Sequence, residues 1–288
     1  MSIYQESVYG SFNSGGSIAY PRLVGGNAFT MRKGPQRQVI RSADAGNRRV
    51  QVVSARKVYA GTLNMALYPS QAAYWLTALT GLAGNALPSY SIQYWDSVQA
   101  WRFVGCIAQS GKITSSATAD EVMLSINWIA QQRDNTFTTF AQPAASNYPT
   151  EVPYEHYESA SNFTLGGSAI TKYKTLEVNI NNILQGTWDE QQYITSLLYC
   201  GRDLDLSFGP QYLATTYRTD FESQTALTFS VNWTRSSPAH SLTLNCETNS
   251  YMSTIDDDLP LDGPGYQTIG VQVFYDPTNS TDFVATVS

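Results

Sequence analysis

The sequence predicts a mainly β fold: two tandem β-sandwich or half-barrel domains, each with one flanking α-helix. Three observations carry this. Most of the chain alternates apolar and polar residues with period 2. One segment breaks that rhythm with helical spacing. The same landmarks then recur about 140 residues further on.

The strands come first. Leu63, Met65 and Leu67 share one face of a short run, and Ile92 and Tyr94 alternate in Ser91-Ile-Gln-Tyr-Trp95. Trp101-Arg-Phe-Val-Gly-Cys106, Val122 to Ile129 and Ile269 to Tyr275 continue the pattern. β-Branched and aromatic residues punctuated by Gly, Asn, Ser and Pro indicate antiparallel strands. The exception is Pro69 to Thr80. Ala72, Trp75, Leu76 and Leu79 fall at i, i+3, i+4 and i+7. Pro69 suits the first helical position and Gly81 the stop, so this is an amphipathic helix whose apolar stripe must pack on a sheet.

The repetition is one of order as well as spacing. Leu63 and Leu204 are 141 residues apart, as are Pro69 and Pro210. Ser91 and Ser230 are separated by 139, and Cys106 and Cys246 by 140. The second helix, over Gln211 to Tyr217, is poorer, with Thr215 and Thr216 inside it. Between the copies lies Gln142 to Pro153, with three prolines among small polar residues, the composition of an extended linker. The predicted organisation is a first domain over 1–141 with an N-terminal arm and a basic segment, a linker over 142–153, and a second domain over 154–288.

Charge changes sign at the linker. Residues 1–150 hold 12 Lys+Arg and 6 Asp+Glu; residues 151–288 hold 5 and 17. Eight bases lie within 32–57: Arg32, Lys33, Arg37, Arg41, Arg48, Arg49, Arg56 and Lys57, opposed only by Asp44. The total is −6, which argues against a dedicated nucleic-acid clamp. Charged residues make up only 14%, against about 25% in ordinary soluble domains. Exposed sheet edges must be covered, charged or paired. Low charge makes pairing with further copies the economical answer.

Signals for other classes are thin. Met1 to Gly10 has no basic start and no apolar core, so no signal peptide is read there. The most apolar stretch, Ala72 to Gly84, is 13 residues, short of the ~20 a membrane span needs. The expected setting is a cytosol or a particle assembled in one. The sequons at Asn162, Asn232 and Asn279 then carry no meaning. Cys106, Cys200 and Cys246 are far apart and read as buried, reduced thiols. No nucleophile elbow, phosphate loop or zinc-protease motif occurs, so no enzyme and no cofactor are expected. His156, in Tyr154-Glu-His-Tyr-Glu158, reads as a solvated loop histidine, and His240 follows a turn between two strands. Asp256 to Asp258 reads as a solvated acidic loop, with a weak cation site as the alternative.

Several motifs in order resemble a known family. Gly61-Thr62-Leu63 opens a strand, Tyr68-Pro69 starts the helix, and Ser91-Ile-Gln-Tyr94 and Phe103-Val-Gly-Cys106 follow. Glu6-Ser-Val-Tyr-Gly-Ser11 and Ser42-Ala-Asp-Ala-Gly-Asn-Arg48 precede them. Over about residues 5–276 the chain resembles the tail tube proteins of long-tailed, non-contractile bacteriophages. The resemblance implies sheets that join between copies into a β-barrel ring. Rings stack into the virion tail, assembled in the host cytoplasm, as a conduit for DNA. Partners would be further copies, tape-measure, tail-completion and tail-tip proteins, and double-stranded DNA passing without specific binding, with no membrane. Two domains per chain turn a six-domain ring into a homotrimer with pseudo-sixfold symmetry. At four strands per domain, ~4.8 Å spacing and ~40° tilt, the wall is roughly 48 Å across and its bore about 38 Å.

Within that frame the basic segment 32–57 is either a solvated strand pair or a loop reaching the acidic surface of a neighbouring ring. Gln272 and Asp276 are candidates for the lumen, where acidic groups would repel phosphates; the alternative reading is that the acidic residues solubilise the outer wall. Rival readings are a decoration or baseplate protein, and a β-sandwich carbohydrate-binding module using its 6 Trp and 19 Tyr.

Overall fold

The computed structural model describes residues 1–24, 29–32, 35–42, 48–82, 86–159, 163–211, 216–258, 265–275 and 282–288. In the first half, β1 (Ser2–Gln5), β2 (Ile18–Ala19), β3 (Phe29–Arg32), β4 (Pro35–Ser42), β5 (Arg48–Lys57) and β6 (Tyr59–Ala66) lead into α1 (Pro69–Thr80). β7 (Tyr90–Trp95), β8 (Ala100–Ser116) and β9 (Met123–Arg133) follow. The second half runs β10 (Phe163–Leu165), β11 (Ser168–Ala169), β12 (Tyr173–Thr187), β13 (Ser196–Pro210), α2 (Thr216–Glu222), β14 (Leu227–Ser236), β15 (Ala239–Asp258), β16 (Tyr266–Val273) and β17 (Val284–Val287).

The two halves use one strand order. β6–β9–β8–β7–β1–β2 in the first corresponds to β13–β16–β15–β14–β10–β11 in the second. Leu63 and Leu204 lie buried on β6 and β13, and Cys106 and Cys246 on β8 and β15. All pairings are antiparallel, and fifteen strands form one sheet; β4 and β5 pair separately. The halves join where β12 pairs along β8, from Thr175 opposite Ser116 to Asn181 opposite Ser110.

Helix α1 starts and stops where its sequence predicts. Pro69 occupies its first turn, and Gly81 closes it with its N–H donating a hydrogen bond to the Thr77 carbonyl. The linker supplies the acceptor its N-terminus lacks: the Ser70 amide donates to Glu151 Oε1 at 3.1 Å, a favourable charge for a helix start. Ala72, Trp75, Leu76, Ala78 and Leu79 are buried. Gly111 on β8 admits this helix, since a Cβ there would sit 2.5 Å from both Leu79 methyls. The second half seals the other end. Asn182 Nδ2 donates to the Leu79 and Ala108 carbonyls, both at 3.0 Å, and Arg202 Nη1 to the Thr80 carbonyl at 3.3 Å.

The helix expected over Gln211–Tyr217 falls largely outside the described residues, which resume with α2 at Thr216. Three expectations need correction. β7 is buried at every position from Tyr90 to Tyr94, with Ser91 Oγ donating to Glu6 Oε1, so its alternation does not mark a solvated face. Asp256 to Asp258 is not a loop: it ends the twenty-residue β15 and pairs with β16. Cys200 is exposed on β13, near the free end of the β12–β13 hairpin, whereas Cys106 and Cys246 are buried. No helix among the described residues is long and apolar enough to cross a membrane.

Candidate functional site

Part of the sheet forms a band of eight strands in the order β3–β6–β9–β8–β12–β13–β16–β15. Each half contributes four. One face carries the core: Leu63, Ile126, Ile113, Val178, Leu206 and Val271 are all buried. The opposite face follows from the pleat, which turns alternate residues outward.

That face is polar across both halves. One row in register reads Asn64, Ser125, Lys112, Asn179, Asp205, Gln272 and Tyr251. A second reads Met123, Thr114, Glu177, Ser207, Gly270 and Thr254, and a third Thr62, Asn127, Ser110, Asn181 and Asp203. None of these is buried. Thr62 Oγ1 donates to Asn127 Oδ1 at 2.7 Å, and Asn127 Nδ2 to Ser110 Oγ at 2.8 Å. Lys112 pairs with Glu177 at 2.8 Å across the joint between halves. That pairing leaves Asp203 and Asp205 as the net charge of the three rows. Burial, helped by the neighbouring Asp203 charge, pushes the Asp205 carboxyl up. The surface is thus mostly amide and hydroxyl, mildly acidic, with its one lysine already neutralised.

Both ends of the band are open among the described residues. β3 pairs only with β6, and beyond Ser250 β15 pairs only with β16. Between β3 and β6 the chain forms the β4–β5 hairpin, which pairs with no further strand among the described residues. It holds Arg37, Arg41, Arg48, Arg49, Arg56 and Lys57, while Arg32 ends β3 and Lys33 lies outside the described residues. Arg41 stands opposite Arg49 in its register. At its base the Lys57 amide donates to the Gln192 carbonyl, 2.6 Å away in the β12–β13 loop.

Gln272 therefore lies on the polar face, while Asp276 falls outside the described residues. Sequence reading missed the rest of that face. Its signal was the polar member of each alternation, as in Leu204-Asp-Leu-Ser-Phe208 and Leu176-Glu-Val-Asn-Ile180. Both histidines pack against neighbouring side chains. His156 is not a solvated loop residue: it opens a 3-10 turn, its Nδ1 is 2.8 Å from Ser115 Oγ, and its ring lies 4.6 Å from that of Tyr173. Burial holds its pKa below the ordinary value. Ser115 is itself buried, out of reach of a substrate. His240 follows the β14–β15 turn as expected and is buried against Tyr154, 3.7 Å from Glu158. Arg235 bridges Glu155 and Glu158 beside it. Among the described residues no group of three metal-binding side chains occurs.

A family model described as phage tail tube protein matches residues 1–285. The chain belongs to the phage tail tube protein family. It is thus a structural component of a phage tail, and its mainly β architecture is that of a tail tube protein. A search of curated proteins returned no matching relative. For a tail tube protein, the informative parts of this structure are the continuous polar face and the two open edges of the band.

Proposed function

We propose that this tail tube protein polymerises into rings that stack into the hollow tail of a long-tailed phage, the conduit for DNA. The observation that carries the reading is the eight-stranded antiparallel band, open at both ends and polar on one face. An even number of strands lets copies join end to end with antiparallel order kept throughout. Three copies would bring 24 strands, the number assumed in the size estimate above. The two halves then act as repeats, 1–141 and 154–288 joined by 142–153, and the ring has pseudo-sixfold symmetry.

The polar face, with Gln272, Asp203 and Asp205, would line the bore; Asp276 extends the same segment. A conduit must let DNA slide. Free inward lysine or arginine would hold phosphates by counterion release, whereas amides, hydroxyls and a few carboxylates would not. The eight bases of 32–57, six of them on the β4–β5 hairpin, would meet the acidic surface of the next ring. Tape-measure, tail-completion and tail-tip proteins would be the remaining partners. Negative-stain microscopy of the concentrated protein tests the reading. Rings or tubes are expected; a persistent monomer that binds glycans would favour the carbohydrate-binding module instead.

A further inference from the structure

The two halves share one ladder, β12 along β8. Neighbouring strands twist by roughly 10–35° relative to each other, so a single ladder leaves the angle between the halves loosely set. On the polar face the ladder is crossed by the Lys112–Glu177 pair, which is exposed and therefore weak. On the opposite side the halves meet through helix α1, where the contacts are better shielded. β17 packs against α1 as well as pairing with β15, so the last strand of the second half lies against the helix of the first.

Both ends of that helix are tied to the second half. Before its start, the Tyr154 amide donates to the Leu67 carbonyl at 2.9 Å, while the Tyr154 hydroxyl donates to the Ser241 carbonyl of β15 at 3.2 Å. Ser241 in turn exchanges backbone hydrogen bonds with Ser288, just past β17. At the other end stands Arg202 of β13. Its Nη1 donates at 3.3 Å to the carbonyl of Thr80, the last residue of α1. Its Nε and Nη2 donate to the two carboxylate oxygens of Asp282 at 3.0 and 2.5 Å. The Arg202 and Asp282 side chains are only 7% and 15% exposed. The twelve-residue helix sets the two ties about 18 Å apart.

We propose that Arg202 is a positioning residue: by holding Thr80 and Asp282 at once, it fixes the angle at which the second half stands to the first. A guanidinium is a flat, rigid fork whose N–H groups point in set directions. One side takes the carboxylate bidentately, and the remaining nitrogen meets the carbonyl. Three elements, α1, β13 and the segment leading into β17, are thereby referred to one plane. A lysine at this position would carry the same charge on a flexible stem and define no plane. The repeat does not carry the brace. The 141-residue offset that equates Leu63 with Leu204 brings Gly61 to the place of Arg202, and glycine has no side chain to tie anything. The consequence for the ring rests on the tube reading above: an angle fixed inside each chain contributes to the curvature of the wall. The angle itself does not depend on that reading.

Pulsed electron–electron double resonance between two spin labels tests the brace in the full chain. Labels go at Ala73, exposed on α1, and Thr234, exposed on β14, in a Cys200→Ser background. Excess unlabelled chain keeps each measured distance within one copy. The intact brace should give one narrow distance. Arg202→Ala and Arg202→Lys should each broaden it about twofold, as an unbraced ladder allows. Asp282→Asn keeps the size but weakens the fork; it should broaden the distance less, and it serves if Arg202→Ala does not fold. Trp233→Phe changes the buried core of the second half alone, so it should lower stability and leave the width unaltered. Under assembly conditions the Arg202 variants should form rings of mixed size in micrographs, where the parent forms one. A width unchanged by Arg202→Lys and Asp282→Asn, or one that Trp233→Phe broadens as much, overturns the brace and leaves the tube reading standing. Broadening by the Arg202 variants in a chain that never forms rings supports the brace and overturns the tube reading instead.

Discussion

The first and second halves share a strand order but not a state of completion. In the first, the twelve-residue α1 is buried along one stripe, capped at its start by Glu151 and sealed at its end by Asn182 and Arg202. In the second, α2 has seven residues, and Tyr217 and Phe221 are only partly buried. The finished half has received the hairpin of its neighbour; the unfinished half has received nothing. Among the described residues, β8 has β12 along its edge and the end of β15 has no such strand.

The comparison can be broken most sharply at the helices. Trp75→Ala should cost about 3–5 kcal/mol of unfolding free energy by denaturant titration, from lost burial plus a cavity. Phe221→Ala should cost less than half of that in the monomer. Equal losses would mean that α2 is as finished as α1.

Next in size is the seal. Asn182→Ala removes both donors from the Leu79 and Ala108 carbonyls and leaves buried acceptors without them, so about 1–3 kcal/mol should be lost. A change under about 0.5 kcal/mol, the level of an ordinary surface substitution, would show that the halves do not depend on this contact.

A smaller effect concerns the start of the second half. Burial depresses the His156 pKa, so the folded state prefers the neutral ring. Its contribution is present above the unfolded value of about 6.5 and is lost as pH falls through the lower folded value. His156→Gln should flatten that part of the stability curve between pH 7 and 5. A curve unchanged by the substitution would contradict the burial argument.

The smallest effect on the fold, within about 0.5 kcal/mol, belongs to charge reversal at Arg41, Arg48 and Arg49 on the β4–β5 hairpin. Its effect should fall on stacking alone: single rings persist and tubes shorten in micrographs. Unchanged tube lengths would remove the inter-ring role.

How much of this was legible in the sequence depends on the range of the signal. Helix α1 was readable to its last residue because Pro69, the apolar stripe and Gly81 are local. The alternation in 204–208 was equally local, but period 2 says only that two faces differ. Which face meets the core, and that polar rows from both halves align, depends on the register of β12 with β8, a contact between segments some sixty residues apart. His156 misled because a polar stretch, Tyr154 to Glu158, folds back as a tight turn against Tyr173. Asp256 to Asp258 misled because a strand that continues past its core can end in any polar residues. Cys200 carried no pattern to separate it from its two buried counterparts. The open edges were invisible to periodicity altogether, since an edge is defined by what does not pair.

Native mass spectrometry of purified rings tests the central claim most directly. If each chain supplies two equivalent four-stranded units, a ring holds three chains, about 95 kDa at 31.8 kDa each. Six chains per ring, about twice that mass, would contradict the equivalence of the halves.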